Sequence, residues 1–380
     1  MKFSVQREDV HQAVAAVQRA TATRVIQPIL SNILIIADNE KLKLSATDLD
    51  FAIETSIPAH IVVAGQSTLS AKKLSEILGK LPNSREVEFD IDHETQMARI
   101  QSGTAIFDMR TLPSDDFPIV PALDETVADA DSGVGGVLEV DAKALARAIN
   151  QTTFAAASYD ANNVLGGVYF QINADGLEMA ATDGSRLARR IEAVQSVSLG
   201  PVSAIIPART LQEFLKLSAS DSGNPTVKIA IYNGQISFRT SRYYVLSRLL
   251  DGQYPKYNQL IPQENKVVAY ANRKEFIECL ERTAVMANER TNIVKMMLEG
   301  NLLSLAAQTP DVGDSKDTLS IHYEGEPLNI AFNYKYVLDA LKVIESDDVR
   351  METNGPLAPT LFKAREENGY LCLVMPVQVK

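Results

Sequence analysis

ATDGSRLARR (residues 181–190) follows VYFQINADGLEMA (168–180), and a near copy, SATDLDFAIE (45–54), follows ILIIADNEKLKL (33–44). Each phrase sits behind two apolar runs joined by a polar turn, the pattern of a β-hairpin. A fixed phrase recurring in a fixed setting is the mark of an internal repeat, and a repeat settles architecture before any local motif does. Working outward, each copy is preceded by a strand that leads into an amphipathic helix. These are FSVQREDVHQAVAAVQRAT (3–21) and LEVDAKALARAINQTTFA (138–155), with a third at VAYANRKEFIECLERTAVMA (268–287). Val10 and Val14, Leu145 and Ile149, and Phe276 and Leu280 hold equivalent i, i+4 places on the buried face. Asp141 and Asn272 stand where helix N-caps belong, and Glu275 completes a capping box with Asn272.

The third copy continues as the others do. Turns at ADNE (37–40), NADG (173–176) and EGN (299–301) lead to LSATD, MAATD and SLAAQ, with Gln308 where the first two have Thr47 and Thr182. A second helix then follows in each: SAKKLSEIL (70–78), PARTLQEFL (207–215) and NYKYVLDAL (333–341). Its apolar positions coincide, Leu74 with Leu211 and Val337, Leu78 with Leu215 and Leu341. Ser70, Pro207 and Asn333 suit helix starts. The first two copies close alike, as MRTLPSDDFPIVP (109–121) and SRLLDGQYPKYNQLIP (247–262), and these proline-bearing polar stretches read as linkers. Short strands punctuated by two helices, three times over, predict an α+β protein of three similar domains of antiparallel sheet. Their expected limits are 1–120, 137–250 and 266–380, with linkers at 121–136 and 251–265.

Composition narrows the function. The chain has 380 residues, 46% hydrophobic and 22% charged, with a formal net charge of −11. That describes a folded protein, and no apolar run approaches a membrane span, so the expected location is the cytoplasm. Cys279 and Cys372 stand alone in apolar settings, so no disulfide framework or thiolate metal site is expected. The four histidines, His11, His60, His93 and His322, are scattered. No phosphate loop or dinucleotide fingerprint is present. Asp183-Gly184-Ser185 lacks the G-x-S-x-G elbow of a hydrolase and reads as a bend between strands. No catalytic residue, cofactor or metal is expected.

One recurrence is not needed for a core. Lys72, Arg209 and Lys335 occupy the same place in the first turn of the second helix of each copy, with Lys73 beside the first. Cations there oppose the helix macrodipole at about 0.3 to 1 kcal/mol, so either these are ordinary solvated positions or the same helix of each domain faces a phosphate-bearing partner, with Arg24 adding to it. Base-reading motifs are absent, so such contact would be independent of nucleic-acid sequence.

MKFSV, QPILSNILI, TDLD, TLPSDDFP, ATDGSRLA, DGQYPKY and the terminal LVMPV together resemble the bacterial DNA polymerase III beta subunit, the sliding-clamp family, over essentially the whole chain. The resemblance implies a head-to-tail homodimer, a closed ring of six similar domains that encircles duplex DNA and tethers the replicative polymerase and other DNA-maintenance proteins. The ring would be opened by a separate clamp loader. Arg24, Lys72, Lys73 and Arg209 match DNA-facing positions of the family, and Lys335 extends them through the internal repeat. Phe107 and Met109, alternating in AIFDMRTL, and Val285 and Met286 match its dimer interface. A pocket for short linear peptides would be formed by Leu165, Thr182, Gly184, Ser185, Arg186, Leu187, Pro255, Leu373, Val374, Met375, Pro376 and Val377. Pro376 cannot donate to a ladder, so the last strand should end or lie at an edge there. Ser185 stands where many relatives have histidine and Gln378 where arginine is frequent, and Gln259 and Thr291 differ from basic and aromatic neighbours in some members, which bears on peptide preference. A repeat-built peptide scaffold that does not encircle DNA is the rival reading.

Overall fold

The structure is a computed structural model and describes residues 1–22, 27–83, 85–123, 136–158, 163–173, 176–193, 202–221, 225–367 and 369–378. These fall into two compact units, one of residues 1–142 and 213–249, the other of 143–212 and 250–380. Six helices of eight or more residues are present among the described residues: α1 (Arg7–Val17), α2 (Ala71–Lys80), α3 (Ala142–Thr152), α4 (Ala208–Ser218), α5 (Arg273–Ala284) and α6 (Tyr334–Lys342). They are the two helices of each repeat.

The first unit holds two antiparallel sheets. Five strands run in the order His60–Val63, Lys2–Gln6, Glu86–Asp92, Met97–Ser102, Ala105–Arg110. EVEFDID (86–92) alternates as a half-buried strand must, with Val87, Phe89 and Ile91 inside, and Phe89 stacks on Phe3 with ring centroids 4.7 Å apart. The second sheet orders Gly136–Asp141, Thr226–Tyr232, Gln235–Arg239, Tyr243–Arg248, Phe51–Pro58, Lys41–Thr47, Asn32–Asp38, Gly65–Ser70. Helices α1 and α2 pack on one another, and Val10, Val14, Leu74 and Leu78 on them are all buried.

The second unit is one antiparallel sheet of twelve strands. Its order is Val202–Pro207, Gly167–Asn173, Gly176–Thr182, Arg186–Glu192, Tyr370–Val374, Thr360–Ala364, Asp348–Thr353, Val267–Asn272, Gly313–Tyr323, Leu302–Thr309, Ile293–Glu299, Leu328–Asn333. Helices α5 and α6 pack together here, and Phe276, Leu280, Val337 and Leu341 on them are buried.

The repeat units and the compact units therefore differ, and the sheet explains why. Strand Phe51–Pro58 of the first repeat pairs with Tyr243–Arg248 of the second, and Arg186–Glu192 of the second pairs with Tyr370–Val374 of the third. Ladders run through the repeat boundaries, so the middle third contributes strands to both units.

Two of the expected helix caps form. Asn272 accepts a hydrogen bond from the Glu275 N–H at 3.1 Å and Asn333 one from the Lys335 N–H at 3.1 Å, capping α5 and α6. Asn39 and Glu40 both adopt positive φ, giving the two-residue turn between Asp38 and Lys41 the twist a hairpin needs. Ser70 precedes α2 but makes no side-chain cap bond.

Candidate functional site

The sequence-predicted pocket residues all belong to the second unit, and the ladder brings most of them to one end of its sheet. Leu187 is directly opposite Leu373, and Arg186 opposite Val374. Leu187 and Leu373 are buried in one cluster with Ala180, Ile205, Tyr254, Tyr257 and Leu361, against which Val164, Leu250 and Ile261 pack. They form a floor. Val374 is wholly buried, and strand alternation turns it to the face opposite Leu373. The strand then stops, as Pro376 requires, but at the sheet's interior and not its edge, since Tyr370–Val374 is paired on both sides. The chain is caught beyond it by the Met375 N–H donating to Ser185 O (2.9 Å) and the Val377 N–H to Ala331 O (2.7 Å). Met375 is left 40% exposed, with Pro376 and Val377 half-buried beside it.

The bend before the floor is built by hydrogen bonds. Thr182 Oγ1 donates to Arg186 O (2.6 Å) and accepts from the Gly184 N–H (3.1 Å), while Asp183 Oδ1 accepts the N–H groups of Ser185 (2.9 Å) and Arg186 (3.0 Å). Gly184 has φ +88°, the left-handed region that glycine enters at no steric cost. Asp183 is occupied as a turn-former.

Arg186 is held inside the protein. Its guanidinium donates to Asp183 (3.0 Å), to Asp339 (2.6 Å) and to Phe154 O (2.6 Å), and lies 4.5 Å over the Tyr336 ring. It joins the strand to α6 and to the 3-10 turn that follows α3. Leu165 lies on a short 3-10 turn whose Asn163 side chain accepts the Leu165 N–H, and Pro255 is exposed between Tyr254 and Tyr257.

Sequence reasoning passed over Tyr254 and Tyr257. Tyr254 Oη accepts the Thr182 N–H at 3.1 Å, and Tyr257 Oη donates to Glu178 at 2.8 Å; Tyr169 contacts both rings. Burial pushes the Tyr254 phenol up to about 12, so it stays a neutral donor and acceptor across the physiological range. The signal was present in QYPKY, where two aromatics flank an exposed proline. Leu260, 56% exposed in the same segment, was also missed.

The recurrent cations are placed as the repeat implied. Lys72, Arg209 and Lys335 are each the second residue of α2, α4 and α6, and all three are exposed. Lys73 pairs with Glu76 one turn on (2.9 Å). Arg24 lies outside the described residues.

Phe107 and Met109 are half-buried on Ala105–Arg110, the last strand of the five-stranded sheet, whose outer edge has no partner strand among the described residues. Val285 caps α5 and is 79% exposed, with Met286 half-buried next to it. Alongside, residues 313–320 pair only with 302–309, leaving their other edge without a partner strand among the described residues. No group of three or more metal-ligating side chains occurs among the described residues, and none of their helices is long and apolar enough to cross a membrane.

A chain built of repeated strand-and-helix units, with a buried apolar cluster around Leu187 and Leu373 and edge strands that have no partner strand among the described residues, has the architecture of the DNA clamps. Three family models match in order: the DNA polymerase III beta subunit N-terminal domain over residues 1–121, its central domain over 139–256 and its C-terminal domain over 258–378. The beta sliding clamp of Synechococcus elongatus is 33% identical and that of Bacillus subtilis 31%, each over the full length of both chains. Among solved structures, the Bacillus subtilis sliding clamp superposes with a TM-score of 0.90 at 31% identity. A clamp from Bartonella birtlesii bound to griselimycin superposes at 0.89 and 32%, and both comparisons cover all of each chain. The chain belongs to the DNA polymerase III beta subunit family, the bacterial sliding clamps. It is a processivity factor with no catalytic role of its own.

Proposed function

We propose that two copies of this chain close head to tail into a ring around duplex DNA, and that the pocket at Met375 tethers the replicative polymerase, the clamp loader and other DNA-maintenance proteins through short linear peptides. The domains run 1–120, 137–250 and 266–380, with linkers between, and the ring works in the cytoplasm. The observation that carries this reading is that two of the sheet edges without a partner strand among the described residues also carry apolar side chains. The strand bearing Phe107 and Met109 and the 313–320 stretch beside Val285 and Met286 each offer a ladder and an apolar patch, and a second copy supplies the complement of both.

Encirclement reconciles the formal charge of −11 with a nucleic-acid partner. A ring is retained by topology, so its attraction to phosphate can be weak and confined to Arg24, Lys72, Lys73, Arg209 and Lys335. The peptide is taken by the exposed face of Met375, Pro376 and Val377, with Leu165, Gly184, Ser185 and Pro255 bordering it. Leu187, Leu373 and Thr182 form the floor, and Arg186 and Val374 support it. Methionine suits a surface that accepts several partners.

Retention on DNA tests this. The protein is loaded onto nicked circular duplex with a clamp loader, washed in high salt, and the circle is then cut. Survival of the wash followed by release from the cut ends is the expected result. Loss in salt from circular and linear DNA alike would overturn encirclement.

A further inference from the structure

The bend that borders the pocket is built twice. In the first unit Thr47 Oγ1 donates to Phe51 O (3.0 Å) and accepts from the Leu49 N–H (3.0 Å), and Asp48 Oδ1 accepts the N–H groups of Asp50 and Phe51. Leu49 adopts φ +81°, matching the +88° of Gly184, although a leucine pays a steric cost there that glycine does not. The ladders agree residue by residue. Ala52 is opposite Leu246 as Leu187 is opposite Leu373, and the Arg248 N–H donates to Asp50 O (2.8 Å) as the Met375 N–H donates to Ser185 O (2.9 Å). The second unit presents a peptide pocket on this framework under the reading above, so the first unit holds its counterpart.

That counterpart is filled. Alanine at 52, where the second unit has Leu187, leaves room for a side chain, and Leu123 from the linker takes it. Leu123 is 3% exposed and packs with Ala52, Leu246 and Tyr244. Tyr244 fastens the linker by its backbone, donating to Pro121 O (2.7 Å) and accepting from the Leu123 N–H (2.9 Å). One aromatic hydroxyl that satisfies both a carbonyl and an N–H of another segment is a peptide-binding contact made in cis. Further out, Arg248 and Asp50 form an exposed ion pair (3.5 Å) where the second unit has the open methionine and serine.

We infer that the first unit carries a latent peptide site, occupied by the chain's own segment FPIVPAL (117–123) with Leu123 as the anchoring side chain. The inference rests on the peptide reading of the Met375 pocket. Tethering gives the internal segment a high effective concentration, so a peptide in trans cannot compete while Leu123 is intact.

The test uses a fluorescein-labelled FPIVPAL peptide and the full chain with the second pocket weakened by Met375→Ala. Adding Leu123→Ala in that background should tighten peptide binding, read by fluorescence anisotropy, at least tenfold. The same peptide with alanine for its last leucine should not bind. Equal affinity for the two proteins would overturn the latent site. If the double variant lacks a cooperative melt, Met375→Ala with Leu123→Val replaces it. A peptide-dependent rise in its melting temperature is then expected, and no rise would overturn the proposal. Because the comparison is made within one background, failure of Met375→Ala to weaken partner peptides would count against the second pocket and leave this result readable.

Discussion

Arg186 and Met375 stand near one another at the same sheet end and do opposite work. Every nitrogen of the Arg186 guanidinium is taken by Asp183, Asp339 or Phe154 O, so its charge is consumed in tying these segments together. Met375 has its backbone fixed to Ser185 and its side chain 40% exposed, which is what an anchor for a ligand needs. Met375→Ala should weaken peptide binding by about 1 to 3 kcal/mol, as a hot-spot truncation does; unchanged affinity by calorimetry would remove it from the pocket. Glu192 makes a second residue-scale prediction. Burial raises its pKa, but hydrogen bonds from Arg147 (2.6 Å) and Arg190 (2.9 Å) outweigh burial and hold it below the ordinary carboxyl value of 4.5. A carboxyl lowered in the folded state contributes stability that is present above its unfolded pKa and lost as pH falls through the folded one. Arg147→Gln should therefore cost stability at neutral pH, and the gap from the parent chain in urea midpoint should shrink on acidification below 4.5. A gap that stays constant with pH would exclude this linkage.

At the scale of elements, the helices were legible because their signals are local. The i, i+4 apolar pairs, the caps at Asn272 and Asn333 and the shared second-residue cation need only neighbouring residues to be read. The strands were legible as strands, but not their partners. Nothing in FAIETSIP (51–58) says that it pairs with YYVLSR (243–248), because a period of two declares a face and leaves the neighbour open. The edges follow from the same ladders, and they carry the dimer prediction. Val285→Asp places an unpaired charge in the proposed contact, so it should weaken dimerisation tenfold or more, about 1.4 kcal/mol. Sedimentation velocity should show monomer at concentrations where the parent chain is dimeric. A variant that remains dimeric would move the interface away from α5.

For the whole molecule, the charge distribution matters more than the total. Lys72, Lys73, Arg209 and Lys335, changed together to glutamine, should lower the slope of log affinity for a short duplex against log salt by about 0.9 for each phosphate that is no longer neutralised. An unchanged slope would mean that these helix starts do not face DNA, whatever the ring does.

By itself the sequence determined the threefold repeat, the α+β class, the two helices of each copy, the absence of an elbow or phosphate loop, and, through its family resemblance, the clamp. All of these rest on residue type and short spacing. Only the tertiary structure decided that ladders run through the repeat boundaries, that the last strand ends inside its sheet, that Arg186 ties its strand to α6, that Tyr254 and Tyr257 pack with Leu187 and Leu373, and that Leu123 packs against Ala52. Each of these depends on which segments distant in the chain meet, and that is set by hydrogen-bond register and by the volume one side chain leaves for another, as Ala52 does for Leu123.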